Sequence, residues 1–278
     1  MICIAHRPVP ERLKPYIERI VLTDFSQASG KRWQVVPSGY FGFSINLGSA
    51  AEDFNLQRAG QDLTFTGVLP HALSTWCDRP VLILGMTLTA LAAAHLPPRP
   101  SDFADQKFMS GEHMFNRSTI KRLFDGLTDQ STLDGKIDSS LAWFETLMFD
   151  RQPAYGRELT IAETAAHMHR LDGADVANAA WRTGLSRRQL EREFRDRLGT
   201  SPKHYSTVAR VQKVARLAWH GENLAGISAA LEFADQSHMT NVVRDMTGMT
   251  PAALLRRAAN SDFARAMRPH WGGRITHV

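Results

Sequence analysis

A segment that returns after 49 residues constrains this chain more than any other feature. Residues 185–202, LSRRQLEREFRDRLGTSP, read as a short turn, a strongly basic helix and a Gly-x-x-Pro stop. Shifted by 49 residues, Leu190 falls on Met239, Phe194 on Val243 and Arg195-Asp196 on Arg244-Asp245, while Gly199, Ser201 and Pro202 fall on Gly248, Thr250 and Pro251. Apolar lands on apolar, the helix-ending glycine on glycine and the following proline on proline. Matches kept in register across two segments argue for a duplicated supersecondary unit. Each copy reads as a helix-turn-helix.

The flanking residues support that reading. Thr160 and Glu163 have the spacing of a capping box, and Ile161, Ala165, Met168 and Leu171 would form the buried face of the helix behind it. Asp175 caps the next helix, VANAAWRT, in which Ala180 stands four residues before Gly184 and ten before Leu190. Close helix crossing needs a small residue at the approach, a glycine able to take positive φ in the turn, and an apolar plug beyond. Ser186 caps an exposed helix over 187–198 with Leu190, Phe194 and Leu198 inside. Arg187, Arg188, Glu191, Arg192 and Arg195 stay outside. Pro202 opens a long helix to about His220, with Tyr205, Val208, Val211 or Gln212, and Ala215 on its apolar face. Lys203, Arg210, Lys213 and Arg216 form its polar, basic face. At ~1.5 Å per residue this rod spans about 25 to 28 Å, a length that brings two reading helices near the ~34 Å of one DNA turn. The second unit is expected over 224–231 and 236–247, with a closing helix from Pro251 to about Ala259 and a disordered tail over 261–278.

The N-terminal part has another texture. After Pro10, Leu13, Tyr16, Ile17, Ile20 and Val21 have helical spacing, which predicts a short helix or a helix-to-strand transition. From Trp33, stretches rich in Val, Ile, Phe, Thr and Trp alternate with Gly, Pro, Asn and Asp, the pattern of about five or six antiparallel strands. A small barrel or half-barrel follows. LTALAAAHL is a short helix stopped by Pro97-Pro98, and two more helices are expected over 112–127 and 133–149. Ile137, Leu141, Phe144 and Met148 make one stripe on the latter, suited to closing the β unit or to dimerisation. Residues 150–156 are the best boundary, dividing the chain into 1–152 and 157–260.

Charge is divided along the same line. From Ala174 onward 16 Lys and Arg face 9 Asp and Glu, whereas the first 173 residues hold 17 against 19. A basic C-terminal third is the footprint of a module that binds a polyanion. No apolar run approaches the length of a membrane span, and the N-terminus lacks the apolar core of a signal peptide. With only Cys3 and Cys77, the composition fits a reducing cytoplasm.

At these residues the chain resembles the AraC/XylS family of transcription regulators. The resemblance rests on GLSRRQLEREFRDRLGTSP, KHYSTVARVQKVARLA and FADQSHMTNVVRDMTGMTP and covers about 100 residues. It implies a seven-helix domain of two helix-turn-helix units joined by a linker helix, within an α+β chain whose N-terminal half is a small antiparallel, half-cupin-like β unit with helices. VVPSGYFGFSINLG, TGVLP and LILGMTLTALAAAHL are similar to the sensor region of a subset of such regulators. The implied function is a sequence-specific DNA-binding regulator, an activator by family habit, with an effector-sensing or dimerising N-terminal domain. Its implied partners are double-stranded promoter DNA, a small-molecule effector, RNA polymerase and a second copy.

Carried over by position, the base-reading residues are Arg188, Glu191 and Arg192 in the first unit and Gln236, Ser237, Thr240 and Asn241 in the second. Arginine suits guanine O6/N7, glutamate the cytosine amine, and glutamine or asparagine adenine. Ser186, Arg187, Lys203, Arg210 and Asp235 are assigned to the DNA backbone, with Ser186 and Asp235 acting as caps that leave helix N–H groups open to phosphate. Three positions depart from the family pattern. Glu232 stands in place of the turn glycine, Met239 and Val243 replace phenylalanines, and Asn241 replaces arginine. A looser second unit and dominance of the first are the expectation.

Other residues favour packing over chemistry. His167 and His169, at i and i+2, lie on different helix faces, so a metal site is not expected. His71 and Cys77 read as structural. Trp33, Tyr40, Phe41, Phe43, Phe65 and Trp76 suit a β-unit core better than an effector pocket. Asp102 with Asp105, and Glu52 with Asp53, make poor acid-base pairs. No P-loop, dinucleotide fingerprint or G-x-S-x-G is present. A DNA-repair alkyl-transfer enzyme needs a cysteine-rich zinc cluster and a nucleophilic thiol, which two cysteines 74 residues apart do not supply. No cofactor and no catalysis are expected. The alternative function is a DNA-binding protein controlled by a protein partner, without a small-molecule effector.

Overall fold

Short runs of Val, Ile, Phe and Thr build an antiparallel sheet in the N-terminal half of this computed structural model, which describes residues 3–24, 32–47, 63–76, 82–96, 108–150, 156–170 and 175–260. The strands are β1 (Cys3–Arg7), β2 (Ile17–Asp24), β3 (Arg32–Val35), β4 (Phe41–Asn46), β5 (Leu63–Thr66), β6 (Leu73–Trp76), β7 (Leu82–Leu88) and β8 (Met109–Ser110). Six of them form one sheet in the order β1-β2-β7-β4-β5-β8, and β3 pairs with β6 in a second. The lead-in expected to be helical is a 3-10 turn (Glu11–Leu13) followed by β2. Its helical spacing also fits a strand buried between β1 and β7, and those non-local partners decide the outcome. The stretch 33–48 contains two strands, because Gly39 takes φ +75° in the turn before β4.

Helix α1 (Ala90–His95) is capped by Thr89. The single helix expected over 112–127 is two, α2 (Gly111–Met114) and α3 (Arg117–Thr128). Asn116 interrupts them, its side chain accepting from Thr119 N as the cap of α3. Helix α4 (Leu133–Phe149) buries its predicted stripe of Ile137, Leu141, Phe144 and Met148. That stripe closes the β unit: Phe43 packs against Trp143 and Phe144, and the Trp143 indole N–H donates to Thr119 O. Phe41, Phe43 and Phe65 are fully buried and pack on one another as core. Cys77, the two acidic pairs and the tail over 261–278 lie outside the described residues, as do the side chains of Trp33 and Trp76.

Among the described residues seven helices follow: α5 (Arg157–Arg170), α6 (Val176–Thr183), α7 (Arg187–Leu198), α8 (Pro202–Trp219), α9 (Leu224–Ala230), α10 (Gln236–Thr247) and α11 (Pro251–Asn260). The capping box expected at Thr160 does not form. Helix α5 starts earlier, so Thr160 lies within its first turn and donates to Gly156 O. Ile161, Ala165 and Met168 are buried as expected, and Leu171 lies outside the described residues. Lys213, assigned to the basic outer face of α8, is only 4% exposed, and Gln212 beside it is equally buried.

One buried core runs from the sheet through α1 and α4 into α5, α6, α7 and Tyr205 of α8. A second core begins at Val208 and gathers α9, α10 and Leu254 of α11. The first helix-turn-helix therefore shares its interior with the β unit. Helices α5 and α7 both pack against α1, whose Ala92 and Ala93 are buried in this shared core.

Polar contacts tie the remaining pieces. Gln212 Nε2 donates to Pro37 O at 2.5 Å, and the His169 ring packs edge-on against Tyr40 at 4.3 Å. His204 Nε2 donates to Leu69 O at 3.3 Å and His71 Nδ1 to Asp245 O at 3.2 Å, while Ala72 N–H reaches Met246 O at 2.8 Å. The segment joining β5 to β6 thus holds the start of α8 and the carbonyl end of α10. His71 thus bonds to the end of α10, and His169 packs on Tyr40.

Candidate nucleic-acid interface

The two reading helices are built by the same local chemistry. Asp175 caps α6, which ends in a left-handed Gly184 at φ +65°. Gly184 N–H bonds to Trp181 O and Leu185 N–H to Ala180 O, the paired bonds of a Schellman stop. In the second unit Glu232 N–H bonds to Ala229 O and Phe233 N–H to Ser228 O, the same pair. Glu232 occupies the glycine position at φ +55°, the only non-glycine with positive φ among the described residues. A side chain there costs about 1–2 kcal/mol. The turn is otherwise of the same type as the first. The second turn also holds one extra residue, Ala234, before its cap.

Both reading helices have capped starts. Ser186 Oγ accepts from Gln189 N and the Gln189 side chain accepts from Ser186 N, a complete capping box. In the second unit Asp235 Oδ1 accepts from His238 N at 2.7 Å, and the His238 ring accepts from Ala234 N at 3.4 Å. The helices end alike, in left-handed Gly199 and Gly248. Their inner faces are buried: Leu190, Phe194 and Leu198 in one, Met239 and Val243 in the other, the last two fully enclosed.

That geometry turns the remaining residues outward. Arg188, Glu191 and Arg192 are exposed on α7. Glu191 is engaged with Arg195 at 3.0 Å, whereas Arg188 and Arg192 have no ion pair among the described residues. On α10, Gln236, Ser237, Thr240 and Asn241 together line one open concavity of about 430 Å³. The four come together because i, i+1, i+4 and i+5 share one helix face. Arg187 and Lys203 are exposed at the starts of α7 and α8.

Arg210 is placed differently. Its guanidinium lies 3.8 Å from the centroid of the Phe233 ring, and Nη2 donates to Leu231 O at 2.9 Å and Glu232 O at 3.0 Å. Burial lowers its pKa, with nearby Glu232 opposing that shift. No periodicity in the sequence distinguishes this arginine from the exposed ones, since its partners lie 21 and 22 residues away. Arg197 also has a local structural task, pairing with Glu193 on α7 and reaching Glu158 of α5.

Trp181, 82% exposed on α6, was not singled out by sequence. Its neighbours Ala179 and Ala180 point inward, so the helical period places it outside. Among the described residues, no three His, Cys, Asp or Glu side chains gather as metal ligands. None of the described helices is long and apolar enough to cross a membrane.

Residues 179–257 match a helix-turn-helix domain family. No curated protein matches the chain. Among solved structures it is similar to an apo ToxT variant from Vibrio cholerae, with 11% identity, a TM-score of 0.44, and coverage of 86% of this chain and 96% of that one. A second Vibrio cholerae ToxT structure shares 10% identity at a TM-score of 0.40, covering 92% and 97%. ToxT bound to an unsaturated fatty acid shares 11% at 0.40, covering 82% and 91%.

Proposed function

We propose that this chain, which carries a helix-turn-helix domain of the AraC type over residues 179–257, is a sequence-specific DNA-binding transcription regulator. The observation that carries the reading is the pair of capped helices, α7 and α10, each set on a Schellman turn with its polar face open. Helix α8 has 18 residues, about 27 Å at 1.5 Å per residue, which suits two helices entering successive major grooves on one side of the duplex.

In this reading Arg188 and Arg192 recognise guanine, Glu191 a cytosine amine when it leaves Arg195, and Gln236 and Asn241 adenine. Ser237 and Thr240 complete the second face. Arg187 and Lys203 grip phosphate, and because the caps Ser186 and Asp235 take up only the N–H of Gln189 and of His238, the N–H groups of residues 187–188 and 236–237 are left to it. The protein acts in the cytoplasm, promoter DNA and RNA polymerase are its partners, and activation is the favoured outcome. The division into residues 1–152 and 157–260 separates sensing or dimerisation from reading. Selection of bound fragments from a random DNA pool, followed by footprinting, tests the core of this. Two protected groove segments per polypeptide are expected, and protection of a single segment would overturn it.

A protein partner in place of a small-molecule effector is the second reading. Phe41, Phe43 and Phe65, residues that could have lined an aromatic pocket, fill the β-unit core instead. Thermal shift against metabolite sets separates the two, because a ligand that binds only the folded form raises the melting temperature.

A further inference from the structure

We infer that Arg210 is a positioning residue for the second reading helix, compensating for the side chain at Glu232. The inference rests on the reading of α10 as a DNA-contacting helix, and its mechanics stand on the turn alone.

A turn between two packed helices needs one left-handed residue, and in the first unit glycine supplies it at no steric cost. In the second unit the position is Glu232 at φ +55°. The left-handed step turns two successive carbonyls, Leu231 O and Glu232 O, toward α8, where a single Arg210 nitrogen reaches both. A charged donor strengthens both bonds. The guanidinium plane also covers the Phe233 ring, and Phe233 supplies the second Schellman bond and packs edge-on against His238 at 5.7 Å. His238 in turn accepts from Ala234 N at the start of α10. Arg210 therefore links the rod, the strained turn and the cap of the reading helix in one set of contacts. A lysine cannot do this, because an ammonium lacks the planar fork that donates and stacks together.

The same arginine on the face of a linker helix could instead contact phosphate, and the two roles predict opposite results. In the full chain, Arg210→Ala is expected to weaken binding to the selected DNA about tenfold to a hundredfold. The slope of log affinity against log salt should not change. Arg210→Lys should behave like the alanine variant, and adding Glu232→Gly to Arg210→Ala should recover most of the loss, because glycine needs no support in that turn. A phosphate contact predicts the reverse: a slope reduced by about 1, near-normal binding by the lysine variant, and no rescue by glycine. That outcome overturns the inference.

Hydrogen exchange of the α10 amides, measured without DNA, keeps the two proposals separable. Protection lost in Arg210→Ala and regained with Glu232→Gly supports the positioning role even if no DNA is bound. Unchanged protection in Arg210→Ala refutes it even if DNA binding is confirmed.

Discussion

Replacing Gly39 with alanine tests whether the β unit and α5 are joined as tightly as their shared core implies. Gly39 takes φ +75° and its added Cβ would lie 2.9 Å from His169 Nδ1, 3.1 Å from Cε1 and 3.6 Å from Val208 Cγ1. The backbone alone costs about 1–2 kcal/mol. The His169 ring is confined by Tyr40 at 4.3 Å and Tyr205 at 6.2 Å, so it cannot swing aside freely. Overpacking of that kind adds about 1–3 kcal/mol.

Gly184→Ala is the matched control. Its φ is +65° and its added Cβ meets nothing within 4 Å, so the backbone cost of about 1–2 kcal/mol is all that is expected. Urea denaturation should show Gly39→Ala more destabilising than Gly184→Ala by about 1–3 kcal/mol. Combining it with His169→Ala should return a coupling energy of that size in a double-mutant cycle. Equal losses for the two glycines, or strict additivity with His169→Ala, would refute the claim that Gly39 and α5 are pressed together.

Arg192→Ala is expected to reduce affinity and relax discrimination at one base pair by about 1–3 kcal/mol, with Asn241→Ala costing less. If Asn241→Ala abolishes binding while Arg192→Ala leaves it intact, the ranking of the two units is reversed. Burial holds His204 below its ordinary pKa of 6.5, His71 adds to that effect, and the bond to Leu69 O opposes it. The neutral ring is thus the form that folding favours, so its contribution is full above 6.5 and is lost as pH falls from there through the lowered folded value. Amide exchange at residues 69–72, corrected for intrinsic rates, should rise in that window, and His204→Gln should flatten the response. A pH dependence identical in both proteins would remove His204 as its source. Phe194→Ala should destabilise by about 3–5 kcal/mol in calorimetry, as for other enclosed aromatics. Trp181→Ala, on an exposed side chain, should stay within about 0.5 kcal/mol.

What the sequence determined by itself was local. The duplicated unit, the bounds of α7 and α10, the caps Asp175, Ser186 and Asp235, and the stops at Gly184, Gly199 and Gly248 are set by groups a few residues apart. Apolar periodicity likewise gave the inner faces of α4 and α7, and the repeat carried the latter over to α10. Only the tertiary structure decided the rest, because the deciding partner lies far along the chain. Residues 17–24 became a strand by pairing with β1 and β7. Gln212 found Pro37 across 175 residues, and His71 found Asp245 across 174. Arg210 engages a carbonyl pair and a phenyl ring of the next unit, 21 to 23 residues along the chain. A helical period states which way a side chain points, but not what will be standing there.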